Sequence, residues 1–134
     1  MKTDEDILQD VWNLLKGSKL AKSVDAMYKR IRPNNSQGTD LVISVLENHN
    51  ARYQESILYV NIYVKDLNVN GTFYADNKKL KALSKNAYDA LKLYDNGIFK
   101  IRVTRQDIYP QEASHSHCIS TRLRYDYFNI NYNE

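Results

Sequence analysis

The chain of 134 residues is poor in most of what announces a specialised chemistry. It has one cysteine, two prolines, four glycines, one tryptophan and three phenylalanines. A single cysteine excludes an internal disulfide framework and suits a reducing compartment. So few prolines and glycines leave little room for a linker, and no repeat or low-complexity segment is present. No apolar run approaches the roughly 20 residues of a membrane-spanning helix. The opening MKTDEDILQD is acidic where a secretory leader is basic and then apolar. Neither sign of charge dominates. The 19 Lys and Arg against 16 Asp and Glu leave +3, too little to argue for nucleic acid by itself. The phosphate-cradling GxxxxGKS/T and GxGxxG loops are missing, as are the HExxH metal helix and the GxSxG nucleophile elbow.

What is present is an ordinary globular composition, 43% apolar and 26% charged, with eleven tyrosines. Tyrosine favours strands and half-wet surfaces, including subunit interfaces. The length suits one domain spanning residues 1–134. These features lead us to expect a soluble, unsecreted, single-domain protein.

The residue pattern predicts element order. TDEDILQDVWNLLKG reads as a helix: Thr3 caps it, Asp6 stands three residues on, and Gly17 stops it. Ile7, Leu8, Val11, Trp12, Leu14 and Leu15 form its apolar stripe, suited to packing on a sheet. A short strand is expected within Val24–Ile31. Pro33 and NNSQG then break regular structure, and TDLVISVLEN follows as a strand with Leu41, Ile43 and Val45 on one face. HNARYQ turns the chain into QESILYVNIYVKDL, the clearest strand. There Leu58, Val60, Ile62 and Val64 oppose Tyr59, Asn61, Tyr63 and Lys65. Residues 67–76 read as irregular. A second helix is expected from Asn77 to Tyr94, capped by Asp76, with Leu80, Leu83, Ala87, Leu91 and Tyr94 on its stripe.

Two closing strands complete the chain. In the first, Phe99, Ile101 and Val103 oppose Lys100, Arg102 and Thr104. In the second, Ile119, Thr121, Leu123, Tyr125 and Tyr127 oppose Arg122, Arg124 and Asp126. A change of phase to Phe128, Ile130 and Tyr132 suggests a bulge or bend. The predicted fold is α+β: a mostly antiparallel sheet of about five strands with two main helices packed on one face, in the order α-β-β-β-α-β-β.

One stretch, EASHSHCIST, gathers His115, His117 and Cys118 within four positions. A structural zinc site needs four ligands, commonly as two pairs, and the remaining histidine, His49, stands alone in a turn. In a strand His115 and His117 share a face while Cys118 points away. The stretch therefore reads as a polar strand entrance with a small buried thiol. We expect no metal, no cofactor and no catalytic residue, since a cysteine nucleophile needs an oriented base and an oxyanion site.

The basic strands offer a second candidate. Lys100, Arg102 and Arg105, with Arg122 and Arg124, form a cationic surface if their strands are neighbours. With the tyrosines this suits single-stranded nucleic acid. Asp107 and Asp126 dilute the patch, and a solvated or subunit-facing sheet side is the plainer reading.

The succession MYKRIRPNNSQGTDLVISVL, SILYVNIYVKD, KKLKALSKNAYDALK and two closing strands resembles the small tail-completion, tail-terminator and head–tail joining proteins of tailed bacteriophages and prophages. The resemblance covers roughly residues 3–130 and rests on element order and strand texture. It departs from the family where Pro33 is followed by a polar loop in place of a proline pair. It implies an architectural protein, a virion component or one of the bacterial cytoplasm. Such a protein assembles as a homo-oligomeric ring on a phage tail tube or head-completion protein, without a membrane. It also implies Tyr59, Tyr63, Arg102, Arg122, Arg124 and Tyr125 as interface candidates and RPNNSQG as a docking loop. The alternative is a nucleic-acid-binding module using the basic, tyrosine-rich sheet face.

Overall fold

A computed structural model describes residues 1–129. Helix α1, Asp4–Lys16, begins where Thr3 and Asp6 close a capping box: the Asp6 N–H donates to Thr3 Oγ1 and the Thr3 N–H to the Asp6 carboxylate at 2.9 Å. That backbone hydrogen bond from Thr3, and then the Thr3 hydroxyl, hold the Asp6 carboxyl below its ordinary range. The stripe buries Ile7, Leu8, Val11 and Leu15. A one-turn helix α2, Lys19–Lys22, follows and sends Leu20 into the core. Helix α3, Asn77–Leu91, starts at Asp76, whose carboxylate accepts from the Lys79 N–H at 3.2 Å, and buries Leu80, Leu83, Ala87 and Leu91.

The strands are β1 (Ala26–Lys29), β2 (Asp40–His49), β3 (Tyr53–Lys65), β4 (Leu67–Val69), β5 (Thr72–Tyr74), β6 (Leu93–Asp95), β7 (Phe99–Gln111) and β8 (Ser116–Phe128). Six of them form one sheet in the order β1-β2-β3-β8-β7-β6, while β4 and β5 pair separately. Every pairing is antiparallel except β1 with β2. The alternating residues of β3 and β8, with Leu41, Ile43 and Ile101, share one core with the apolar stripes of α1 and α3. Both long helices therefore cover one face of the sheet. The expected α+β class and its helix-on-one-face layout hold.

The differences from expectation have local causes. The second helix stops at Leu91, and Leu93–Asp95 becomes the edge strand β6, paired with Lys100–Arg102. The Leu91–Tyr94 spacing of three suits a helical stripe, but the Asn96–Gly97 turn, with Gly97 at φ 83°, closes a hairpin instead. Residues 67–74 are a hairpin as well, because Asn70 and Gly71 both take positive φ (53° and 83°), which a two-residue turn of this kind requires. Strand β1 runs parallel to β2 because residues 30–39 loop back along the sheet end, with Arg30 at φ 72°. Strand β8 ends at Phe128. The phase change toward Ile130 and Tyr132 falls outside the described residues. Register shifts occur instead at Val45/Glu47 in β2 and Val103/Arg105 in β7.

Candidate functional site

The sheet face turned away from the helices gathers most of the candidate side chains. Cross-strand register aligns Tyr59, Arg122 and Arg105 in one row. The adjoining row holds Ile57, Arg124 and Arg102. The β7 register shift is what brings Arg105 here. In a regular strand, odd and even positions alternate, and Arg102 and Arg105 would face opposite ways. The extra residue at the shift puts both on one face and turns Gln106 inward, where its amide donates to Thr121 Oγ1 at 3.1 Å.

Two like-charged pairs thus stand directly opposite, Arg102 with Arg124 and Arg105 with Arg122, an arrangement that repels itself. Carboxylates relieve part of it. Arg124 donates from Nε to Asp126 at 2.8 Å and also reaches Glu55, and Arg105 donates to Asp107. The hydrogen bond to Asp126 raises the Arg124 guanidinium above its ordinary value. Among the described residues Arg102 and Arg122 form no ion pair. Between Tyr59, Arg105, Arg122 and Tyr109 lies an open depression of about 340 Å³.

Further along the same face, Tyr63 and Tyr109 flank Cys118 in register. The Arg32 guanidinium sits 4.0 Å from the centre of the Tyr63 ring and pairs with Asp40 at 3.1 Å, and Ser36 also donates to Asp40. The loop RPNNSQG is therefore folded onto the end of this face. Burial pushes the Cys118 thiol up, a hydrogen bond to Cys118 and then burial push Tyr109 up, and burial pushes Tyr63 up. Cys118 is fully buried between the two tyrosines, and burial disfavours the thiolate, which is the nucleophilic form.

The histidine cluster is divided by the fold. His115 takes a left-handed conformation (φ 48°) in the turn before β8, outside the strand, and its ring stacks on Phe73 at 3.8 Å. His117 lies in β8, with Nδ1 2.7 Å from Asp66 Oδ1, and the Asp66 N–H donates to the His115 carbonyl at 2.9 Å. The two rings do not share a strand face as the sequence reading expected. They tie the base and one side of the β4–β5 hairpin to the β7–β8 turn. Beside them opens a cleft of about 610 Å³ bounded by Arg32, Lys65, Asp66, Phe73 and His115. Among the described residues no three His, Cys, Asp or Glu side chains are grouped to hold a metal ion. Asp66 and Phe73, the histidines' partners, carry no signal in the sequence, since the fold brings them into contact across 51 and 42 positions of the chain.

Tyr125 is a correction. It is fully buried on the helix side, stacks on Phe99 with ring centres 5.1 Å apart, and donates its hydroxyl to Asp10 at 2.6 Å. It is a core residue and unavailable to a partner. The sequence alternation already put it on the apolar face, out of phase with Arg122 and Arg124. Of the other candidates, Tyr59, Tyr63, Arg122 and Arg124 are half-buried on the outer face and Arg102 is exposed there.

No protein-family model and no curated protein matches the chain. Among solved structures it is similar to a chain of the "Virion of native gene transfer agent (GTA) particle", at 17% identity and a TM-score of 0.60, covering 89% of this chain and 92% of that one. The likeness is one of fold and runs nearly end to end in both chains.

Proposed function

We propose that this protein is a structural component of a phage-like particle that completes or terminates the tail tube or joins tail to head, acting as a ring of identical copies. The observation that carries the reading is the near-complete correspondence of fold with a chain of a gene transfer agent virion. It agrees with the resemblance of element order and strand texture to tail-completion and head–tail joining proteins. A sheet with helices on one side only also suits the role, because it leaves a broad mixed-charge face for another protein. Its work is architectural and not catalytic, and its place is the assembled particle or the bacterial cytoplasm before assembly. Tail tube or head-completion proteins are its partners. Among the described residues no helix is long and apolar enough to cross a membrane. Tyr59, Tyr63, Arg102, Arg122 and Arg124 are the proposed contact residues.

The arginine rows give the nucleic-acid reading a specific foothold. Glu55, Asp107 and Asp126 stand among those arginines and oppose a polyanion, so we rank it second. Negative-stain electron microscopy of the purified protein, alone and after mild cross-linking, tests the first reading. Annular particles of uniform diameter support it, and a field of monomers under both conditions contradicts it.

A further inference from the structure

The outer-face arginines are arranged in a way the fold itself does not require. Cross-strand neighbours in a solvated sheet gain from opposite charges, yet Arg102 faces Arg124 and Arg105 faces Arg122. Asp126, Glu55 and Asp107 neutralise Arg124 and Arg105. Arg102 and Arg122 are left without a carboxylate among the described residues.

The same chain carries a complementary patch elsewhere. Asp4, Glu5 and Asp6 are consecutive and exposed in the first turn of α1. Glu5 pairs with Arg30, while Asp4 accepts from the Asn48 amide at 2.9 Å and has no cationic partner among the described residues. Helix α1 packs against the core face of the sheet and the arginines stand on the opposite face. Within one molecule the two patches cannot meet. Between two molecules they can, and because they are different surfaces the contact is heterologous, which generates a ring when the rotation closes.

Resting on the ring reading above, we propose that the outer-face arginine rows of one copy, centred on Arg102 and Arg122, receive the acidic first turn of α1, Asp4 and Glu5, from the next copy. A protein surface fits this face better than a phosphate backbone, because the interspersed carboxylates repel a continuous polyanion but accept the first turn of α1, where Arg30 stands beside Glu5 and makes the charge mixed. The contact falls with salt, as exposed ion pairs do.

The test uses two charge-reversed variants of the full chain, R102E/R122E and D4K/E5K, each checked for fold by circular dichroism. The second leaves the Thr3–Asp6 capping box intact. Gel filtration with light scattering reads their assembly against the unmodified protein. We expect the unmodified protein to assemble and each variant alone to associate at least tenfold more weakly. An equimolar mixture of the variants should assemble again, because each reversed surface then meets an opposite one. If the unmodified protein assembles and the variants do so equally well, or if the mixture stays apart, this contact is wrong while the ring stands. If the unmodified protein is monomeric at every concentration, the ring reading falls and the contact with it. Tight binding of a single-stranded oligonucleotide that R102E/R122E abolishes, with assembly unchanged, assigns the face to nucleic acid and overturns the proposal.

Discussion

Replacing Tyr125 with phenylalanine separates a core role from an interface role. The ring is fully buried and stays in place in the variant, so no large cavity forms. What is lost is one hydrogen bond of 2.6 Å from the phenol to the Asp10 carboxylate. Bonds to charged groups contribute about 1.5–3 kcal/mol. The lower end applies here, because Asp10 keeps Lys2 at 3.3 Å and is one-fifth exposed (20%). We expect Tyr125→Phe to cost about 1.5 kcal/mol. With a urea slope of ~2 kcal/mol/M, the unfolding midpoint drops by roughly 0.8 M. The effect should depend on pH. Burial first, and then the bond to Asp10, push the Tyr125 phenol up in the folded state. A raised folded value means the unfolded chain loses its proton first, so this stabilisation is present below the ordinary tyrosine range near pH ~10 and fades above it. The gap between the two proteins should therefore narrow in urea titrations above pH ~10. A loss under ~0.5 kcal/mol, or a change in self-association with stability intact, refutes the assignment of Tyr125 to the core.

The remaining predictions concern the other anchors. His117→Ala removes the 2.7 Å contact to Asp66 and should cost about 1 kcal/mol; hydrogen exchange should accelerate in residues 67–74 and little elsewhere. Cys118 should react with a thiol reagent only as fast as the protein opens, at neutral pH and below pH ~9, because burial disfavours the thiolate; rapid stoichiometric labelling of the native protein contradicts its placement. Asp76→Ala deletes the cap of α3 and should lower stability by ~1 kcal/mol in thermal or urea unfolding, with α3 fraying first by amide exchange.

Much of this fold was legible because its long elements obey their periods. The alternation from Leu58 to Val64 named the buried side of β3 residue by residue, and the stripe Leu80, Leu83, Ala87, Leu91 named the buried side of α3. Of the short elements, β1 was legible, falling within the expected Val24–Ile31, and the others were not. Three residues of β6 hold no period, and the brevity of β4 and β5 hides their strand pattern although Asn70–Gly71 is a strong hairpin signal. The strand pairing that makes a basic face from β7 and β8 was anticipated as a condition. The register shift that turns Arg105 onto that face was not legible, since plain alternation gives the place beside Arg102 to Thr104. The histidine cluster misled by proximity: one ring serves a turn and the other a strand, and their partners lie far back in the chain. The family resemblance implies an interface role for Tyr125 against its own alternation, and the alternation is the better guide.

Sedimentation velocity over a hundredfold range of concentration, at low and high salt, tests the central claim most directly. The account predicts a discrete closed oligomer that gains population with concentration, loses it with salt, and does not grow into longer polymers. A single monomeric species throughout, with or without added oligonucleotide to shift it, contradicts it.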